Sequence, residues 1–474
     1  MDIYYHISTA WGFIRAGGYS SWDFWQFAPV GRPHIYPPLF HLALAFLMKA
    51  GLKPVLLAKV LEAFSPVLFL VTLKYFISQN CGKRLAFFVL MMSVSSSSFY
   101  LSLINHIPAT LAMIFGILTL GELLKRKFIR AAILLTLVFY THIGLSWVFF
   151  LAVLIYALFD RRNFKYYFAV MFSALVLALP VLARQLSASA FVARIGLDLN
   201  ETRLLRFKII EYLFACLGLI VVLRSKKYRI FACLFFASLI LLAYPYRFFS
   251  AEGYLGIAFL SAVGIDFCYN AATVHNKQPL KYALLATVFI IVVFSPSIVP
   301  QDSFLRKDKQ IYQLELFDSA LPAVALPGLK DDTVVSMWLP GDYLPAAEII
   351  KSNSCEDDVV FSSINIIGVA LSAISGRATA NGLLPEINPM SKFDPVSASK
   401  VIVFAKDDDP QLIGALRDSY NLRKVAESKL FLFYDNPHSS AKAVSRGSRV
   451  GFIIAAAAVL ALILGLILGK KVFD

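Results

Sequence analysis

Eleven apolar runs recur along the chain, and they constrain its fold more than any other sequence feature. Polar or basic residues separate each run from the next. A helix of about 20 apolar residues crosses a bilayer, so we expect a polytopic α-helical membrane protein with about eleven spans. The predicted spans are 55–77, 85–101, 107–123, 129–141, 143–159, 166–183, 207–223, 230–245, 250–268, 281–298 and 450–469.

The composition excludes two other classes of protein. Apolar residues make up 58% of the chain and charged residues 16%, whereas soluble domains average about 45–50% and 25%. A water-soluble globule is therefore excluded, and the long aliphatic and aromatic runs exclude a disordered chain. The five cysteines include no C-x-x-C pair, so neither a disulfide framework nor a cysteine zinc site is expected.

The basic residues orient the predicted spans. Of the Lys and Arg residues that give the chain its net charge of +15, 17 flank one set of span ends, whereas the opposite short loops near 102–106, 141–143 and 246–249 hold only Arg247. Basic loops stay in the cytoplasm, so we expect residues 1–54, loop 184–206 and residues 300–448 outside. This pattern explains the basic excess without a nucleic-acid partner. The 17 are Lys83, Arg84, Lys125, Arg126, Lys127, Arg130, Arg161, Arg162, Lys165, Arg224, Lys226, Lys227, Arg229, Lys277, Lys281, Lys470 and Lys471.

Two segments are predicted to lie outside the bilayer. Residues 1–54 form an extracytoplasmic loop, with an interfacial helix near 37–50, and they begin without a signal peptide. An outside N-terminus without one predicts a further transmembrane helix before Met1. The second segment is an extracytoplasmic α/β domain over 300–448, which holds 19 of the 30 acids. Its predicted strands are 334–338, 359–362, 401–405 and 430–434, and its predicted helices are 344–352, 364–374 and 410–420.

Acids, histidines and aromatic residues are concentrated in the outer N-terminal segment. Asp2 and His6 begin it, Asp23 follows within Trp-Asp-Phe-Trp, and His34 and Tyr36 precede two prolines. An interfacial belt of Trp and Tyr is one explanation. It does not account for acids beside histidines, which favour a site in which Asp2 acts as a general base on an acceptor and the aromatic rings contact a sugar or lipid.

These residues resemble motifs of a known superfamily. The D-x-Y-Y-H run at residues 2–6, the Tyr-Pro-Pro-Leu-Phe-His run at 36–41 and the many predicted spans are similar to the GT-C polyprenyl-phosphate-dependent glycosyltransferases. The nearest likeness is the oligosaccharyltransferase catalytic subunit. The resemblance implies that Asp2 is the catalytic acid of the first outer loop and that Arg247 contacts the phosphate of the donor lipid. Residues 336–343 resemble, more distantly, the start of its soluble domain.

The family's second acidic motif has no acid in this chain. The corresponding stretch at 103–107 contains Asn105 and His106 instead. The resemblance implies a divalent metal, Mn²⁺ or Mg²⁺, for which Asp2 is a possible ligand, but such ions prefer several oxygen ligands. The sequence therefore leaves the metal open. His142, at a predicted hairpin tip, and Glu252, close to Arg247, complete the candidate substrate-binding residues.

Together these patterns favour a membrane glycosyltransferase that acts on the outer face of the membrane. Its expected partners are a polyprenyl-linked sugar donor, membrane lipids and an acceptor glycan, lipid or protein. A non-catalytic transporter or lipid-handling protein is the first alternative; it predicts inverted repeats and polar span interiors, and neither is apparent. The second alternative is a degenerate GT-C relative that binds a lipid-linked sugar without transferring it.

Overall fold

The computed structural model describes residues 2–189, 205–274, 277–301, 311–321, 341–383, 392–439 and 441–445. The chain divides into two compact units. The first comprises Met1–Val60, Leu179–Ile195 and Val335–Leu460, and the second comprises Leu61–Ala178, Gly196–Val334 and Ala461–Asp474. The predicted last span, 450–469, lies outside the described residues.

The N-terminal part of the first unit contains two helices and a short antiparallel strand pair. Helix α1 is Asp2–Arg15, strands β1 and β2 are Trp22–Asp23 and Arg32–Pro33, and helix α2 is Leu39–Lys49. Helix α2 matches the predicted helix near 37–50. Residues 2–15, within the predicted extracytoplasmic loop, form a helix that the sequence analysis did not predict. Ten residues of α1 are buried, so packing on several sides stabilises a helix that has no continuous apolar run.

A five-stranded mixed sheet forms the rest of the described first unit. The strands are β5 Val359–Ser362, β6 Ala378–Thr379, β7 Val401–Ala405, β8 Arg423–Glu427 and β9 Phe431–Asp435. Their order in the sheet is β6-β5-β7-β9-β8, with β5 parallel to β6 and β7, and β9 antiparallel to β7 and β8. Helix Tyr343–Ser352 precedes β5, and helices Asn365–Ser375, Pro395–Ala398 and Pro410–Tyr420 connect successive strands.

Helix α1 packs on this sheet domain within the first unit. The indole Nε1 of Trp11 donates to the carbonyl oxygen of Ala373 at 2.9 Å, and the hydroxyls of Ser8 and Ser372 are 2.9 Å apart. The sheet domain therefore fixes the helix that begins at Asp2. The predicted α/β domain is confirmed as a small sheet domain, while the predicted strand at 334–338 lies outside the described residues.

The described part of the second unit is mostly helical. The chain runs through α3 Pro54–Asn80, α4 Lys83–Ser95, α5 Ser97–Asn105, α6 Ile107–Leu124, α7 Phe128–Thr141, α8 Ile143–Phe159 and α9 Phe164–Ser187. The first residues of α3, up to 60, and the last residues of α9, from 179, belong to the first unit. After a gap in the described residues follow α10 Ile209–Arg224, α11 Arg229–Ser238, α12 Pro245–Phe249, α13 Tyr254–Val274 and α14 Gln278–Val293. Strands β3 Ser297–Gln301 and β4 Ile311–Glu315 then pair antiparallel.

Four described helical segments are long and apolar enough to cross a membrane: Pro54–Asn80, Ile107–Leu124, Arg161–Ser187 and Pro245–Val274. A fifth is counted if α4 and α5, which are bent by 84° at their junction, form one span. The predicted count of eleven is therefore not confirmed. In three of the predicted spans the α-helix is bent or shorter than the apolar run: α4 and α5 divide 85–101, and the helices within 230–245 and 281–298 end at Ser238 and Val293.

The bend between α4 and α5 lies in a run of serines. Ser96 has an extended backbone, and its hydroxyl accepts a hydrogen bond from the amide of Phe99 at 3.3 Å. The next residue is held from outside the helices, because the amide of Ser97 donates to the carbonyl oxygen of Asp318 at 2.9 Å. Serine hydroxyls compete with the helical hydrogen bonds of the backbone, so this run is a suitable place for a break.

Two glycines set the separation of α10 and α13. A Cβ atom at Gly218 would lie 1.8 Å from the carbonyl oxygen of Leu260, and one at Gly264 would lie 2.2 Å from that of Phe214. The two backbones are thus in direct contact, as small residues allow between membrane helices. This contact positions the start of α13, which is preceded by Glu252.

Candidate functional site

A chain of polar side chains starts at Asp2 in the first unit. The Nε2 atom of His6 lies 3.3 Å from Oδ2 of Asp2, and its Nδ1 atom lies 2.9 Å from Nε2 of His41. The imidazole of His6 is 2% exposed, whereas the carboxylate of Asp2 is 34% exposed. In the neutral tautomer that donates to Asp2, His6 accepts a hydrogen bond from His41. Asp2 is therefore an accessible carboxylate that a buried histidine pair orients.

His34 and Tyr36 belong to the same cluster. The ring of Tyr36 lies 5.2 Å from that of His6 and 5.4 Å from that of His41, between centroids, and the ring of His34 lies 5.3 Å from that of His41. Burial, together with the guanidinium groups of Arg32 and Arg184, lowers the pKa of His34 to about 3. His34 is therefore neutral near pH 7.

Asp23 also lies in the first unit, but its recorded contacts are with residues other than the histidines of the cluster around His6. Its Oδ1 atom accepts hydrogen bonds from the amides of Trp25 and Gln26 at 3.3 and 3.1 Å, and its Oδ2 atom lies 3.6 Å from Nε of Arg32. Both charged side chains are buried. Burial raises the pKa of Asp23 above its usual range, although the charge of Arg32 opposes this. These contacts organise the turn between β1 and β2, and a substrate-binding role for Asp23 stays a prediction.

Arg184 makes contacts in this region that the sequence analysis did not predict. It lies in α9, and its guanidinium donates to the backbone carbonyls of Ser21 and His34. It thus holds the strand pair at both ends of the segment that contains Asp23. Arg184 is the first residue of the predicted outer loop 184–206, and a basic residue on the outer side runs against the positive-inside rule. This was the one signal in the sequence of a specific partner.

The second unit brings together three of the predicted substrate-binding residues. The carboxylate Oε1 of Glu252 lies 3.1 Å from Nδ1 of His106 and accepts a hydrogen bond from Nη1 of Arg247 at 3.3 Å. The side chain of Glu252 is 1% exposed, while those of Arg247 and His106 are each 29% exposed. A buried carboxylate therefore holds a guanidinium and an imidazole that remain accessible to a ligand.

Breaks between helices position these groups. His106 lies between α5 and α6, and Arg247 lies in the five-residue helix α12, just before α13. His142 lies at the turn between α7 and α8, where its Nδ1 accepts a hydrogen bond from the amide of Leu145 at 3.2 Å. Asn105 is the last residue of α5, next to His106. Glu252 thus supplies an acid beside the stretch 103–107, which lacks one.

A further buried polar cluster in the second unit was not predicted. The ammonium of Lys208 donates to Oδ2 of Asp318 at 2.6 Å, and the hydroxyl of Ser97 donates to Oδ1 of the same carboxylate. Lys208 and Asp318 are 0% and 1% exposed. Burial alone would raise the pKa of Asp318, but the Lys208 ammonium and the hydroxyl donors hold it below its usual range. The pair joins residues 110 positions apart, a separation that local patterns do not reveal.

The described residues do not fit the Mn²⁺ or Mg²⁺ site that the superfamily resemblance implies. Among them, no group of three or more His, Cys, Asp or Glu side chains has the geometry to hold a metal ion. The carboxylate of Asp2 contacts the imidazole of His6, whereas Mg²⁺ requires near-octahedral oxygen ligands. We therefore derive no step through a metal.

Part of the predicted site lies elsewhere. Of the stretch that resembles the start of the soluble domain, residues 336–340 lie outside the described residues. Asp342 accepts hydrogen bonds from the hydroxyl of Ser428 and the amide of Leu430, at 2.6 and 2.8 Å, and so closes the turn between β8 and β9.

Comparison with solved structures identifies the fold. The chain is similar to the Archaeoglobus fulgidus oligosaccharyltransferase in complex with Zn and sulfate, with a TM-score of 0.57 and 14% identity over 92% of this chain and 69% of that one. It is also similar to AglB of the same organism in complex with an inhibitory peptide and a dolichol-phosphate, with a TM-score of 0.52 and 12% identity over 85% of this chain. It spans 65% of the length of that protein.

The chain is also similar to ArnT from Cupriavidus metallidurans. The structure of ArnT bound to undecaprenyl phosphate matches with a TM-score of 0.51 and 12% identity, over 94% of each chain. No protein-family model matches the sequence, and no curated protein matches it. The chain thus shares its fold with AglB and ArnT, the likeness of fold that the sequence motifs predicted.

Proposed function

We propose that this protein is an integral-membrane glycosyltransferase of the GT-C type. It transfers a sugar or oligosaccharide from a polyprenyl (dolichyl-type) phosphate donor to an acceptor on the outer face of the membrane. The observation that carries the proposal is the similarity to ArnT bound to undecaprenyl phosphate over 94% of both chains. In this proposal the chain crosses the membrane several times, and residues 1–54 and the sheet domain lie outside the cytoplasm.

The proposed reaction needs a base for the acceptor and a cation for the donor phosphate, and Asp2 and Arg247 have surroundings that suit these two roles. Asp2 is partly exposed and receives a hydrogen bond from His6, so it can take a proton from the acceptor as the acceptor attacks the anomeric carbon. The polyprenyl phosphate leaves with the electrons of the broken glycosidic bond. Arg247 holds its phosphate through charge-assisted hydrogen bonds. Glu252 fixes the guanidinium from its buried side.

The test is a transfer assay on the full chain in membranes, with a radiolabelled pool of lipid-linked sugar as donor and total cell extract as acceptor. Asp2→Asn preserves the shape and hydrogen bonding of the side chain but removes the basic oxygen. We expect a loss of about 10²–10⁴-fold in rate, as for other positioned general bases. The matched control is Asp418→Asn, because the carboxylate of Asp418 is 71% exposed.

The outcomes separate the proposal from its alternatives. If wild-type protein transfers no label, the transporter or the degenerate lipid-sugar binder becomes the better explanation. If wild type and Asp2→Asn transfer equally fast, the base is another residue, and Asp23 and Glu252 are the next carboxylates to replace.

A further inference from the structure

A groove in the second unit lies apart from all the candidate site residues. It has a volume of about 680 Å³ and lies between the last turns of α3 and the first turns of α4. Cys81 and Gly82 link these two helices. The lining includes Val71, Lys74, Tyr75, Ser78, Lys83 and Phe87.

The charge of the groove is positive. Lys74 and Lys83 are exposed, and none of the described residues that line the groove is acidic. A third ammonium reaches its edge, because Nζ of Lys125 donates to the hydroxyl of Tyr75 at 3.5 Å and lies 5.2 Å from the centre of that ring. Lys125 is also 3.8 Å from Oε1 of Glu122. Lys74 and Lys83 are therefore the cations through which the groove can attract an anion.

An exposed apolar face of α3 leads into the groove. Phe64, Val67, Leu68 and Val71 are between 52% and 65% exposed. Their spacing places them on one side of the helix, and Lys74 continues the same side. An apolar face of this kind is unfavourable in water but matches the acyl chains of a lipid. Apolar surface on one side and ammonium groups at its end are complementary to an anionic amphiphile.

We propose that this groove binds an anionic phospholipid. The headgroup phosphate is held by Lys74 and Lys83, and an acyl chain lies along the face from Phe64 to Val71. Lys74 is six residues before the end of α3, which is about 9 Å along the helix axis, a depth that suits a headgroup next to a membrane surface. The inference depends neither on the proposed transfer reaction nor on which leaflet the groove faces.

The experiment measures lipid binding by the full chain in zwitterionic phosphatidylcholine nanodiscs. Phosphatidylglycerol is added as the probe, and retained lipid is counted by native mass spectrometry. We expect Lys74→Gln/Lys83→Gln to weaken phosphatidylglycerol binding by about 30-fold, since each Lys near an anionic surface contributes about fivefold. Lys74→Arg/Lys83→Arg retains binding. The matched control is Arg161→Gln/Lys165→Gln, which removes two exposed basic residues elsewhere in the same unit.

Two further measurements test whether the groove binds a whole phospholipid or only a phosphate group. Millimolar glycerol phosphate does not displace the lipid if the acyl chain contributes, and Val71→Asn weakens binding while leaving both lysines in place. Equal binding of added phosphatidylcholine, or equal losses in the glutamine pair and its control, would overturn the proposal and leave Lys74 as a residue that merely extends to the headgroups.

Discussion

Glu252 is a buried carboxylate with two cationic or polar neighbours, and this changes what a substitution at Arg247 measures. The guanidinium of Arg247 both pairs with Glu252 and remains 29% exposed. Removing one partner of a buried ion pair leaves the other charge uncompensated, which costs about 3–5 kcal/mol. A loss of donor binding in Arg247→Ala alone would therefore mix instability with the loss of a phosphate contact.

A double substitution separates these effects. We expect Arg247→Ala to lower the thermal unfolding midpoint, and Arg247→Ala/Glu252→Gln to recover much of that loss because no charge is left unpaired. Both variants should bind a short-chain polyprenyl phosphate roughly 10- to 100-fold more weakly, as expected when a charge-assisted hydrogen bond is lost. Arg224→Ala, at an exposed position, is the control. Wild-type affinity in the folded double variant would show that Arg247 does not hold the phosphate.

Residue types alone could predict some of the site, but not its pairings. Asp2, His6, His34 and Tyr36 stood out because acids and histidines are unusual beside a membrane surface, and the structure places them in one cluster. His41, 35 residues after His6, supplies the hydrogen bond that fixes the His6 ring. No local pattern specifies such a contact, because it depends on how α1 and α2 pack.

At the scale of elements, apolar periodicity predicted the helices better than their breaks. The hairpin of α7 and α8 agrees with the predicted runs at 129–141 and 143–159. The break at Ser96 depends on the backbone of Asp318, more than 200 residues away. Strand β8, Arg423–Glu427, has an exposed and mostly polar surface, so it lacks the alternation that reveals half-buried strands.

Lys208 binds the carboxylate of Asp318, and the backbone of Asp318 in turn contacts Ser97 at the break between α4 and α5. Lys208 therefore stabilises this break indirectly. Lys208→Met should destabilise the protein by about 3–5 kcal/mol, because it removes the nearer, fully buried countercharge of Asp318 and leaves the partly exposed Arg206, whose Nε lies 3.9 Å from Oδ1. Lys208→Met/Asp318→Leu should be closer to wild type, since neither charge remains. Thermal unfolding in detergent measures both effects, with Lys226→Met as an exposed control. Equal midpoints for Lys208→Met and this control would contradict a structural role for the pair.

At the scale of the whole molecule, length and charge lead to different counts of membrane crossings. Four described helical segments, or five with the bent pair, satisfy the length and composition of a span. The eleven apolar runs include several that form shorter helices, such as Phe128–Thr141 and Ile143–Phe159. The hairpin of these two helices crosses the membrane twice in the arrangement with eleven spans. It does not cross the membrane in the arrangement with four or five.

Reporter fusions along the chain decide between these arrangements. The basic clusters that follow α6, α8, α10 and α13 each carry at least two Lys or Arg within a short segment, and such loops remain in the cytoplasm. We therefore expect fusions at residues 127, 163, 227 and 277 to report the cytoplasm and a fusion at residue 400 to report the outside.

The signal at 163 relative to 127 tests the α7–α8 hairpin, because both positions stay on one side only if the chain crosses an even number of times between them. A fusion at 142, at the tip of that hairpin, separates two crossings from none: an outside signal there supports the longer count. An outside signal at any one of the four basic clusters, with the others cytoplasmic, would contradict the proposed orientation and the outer location of Asp2.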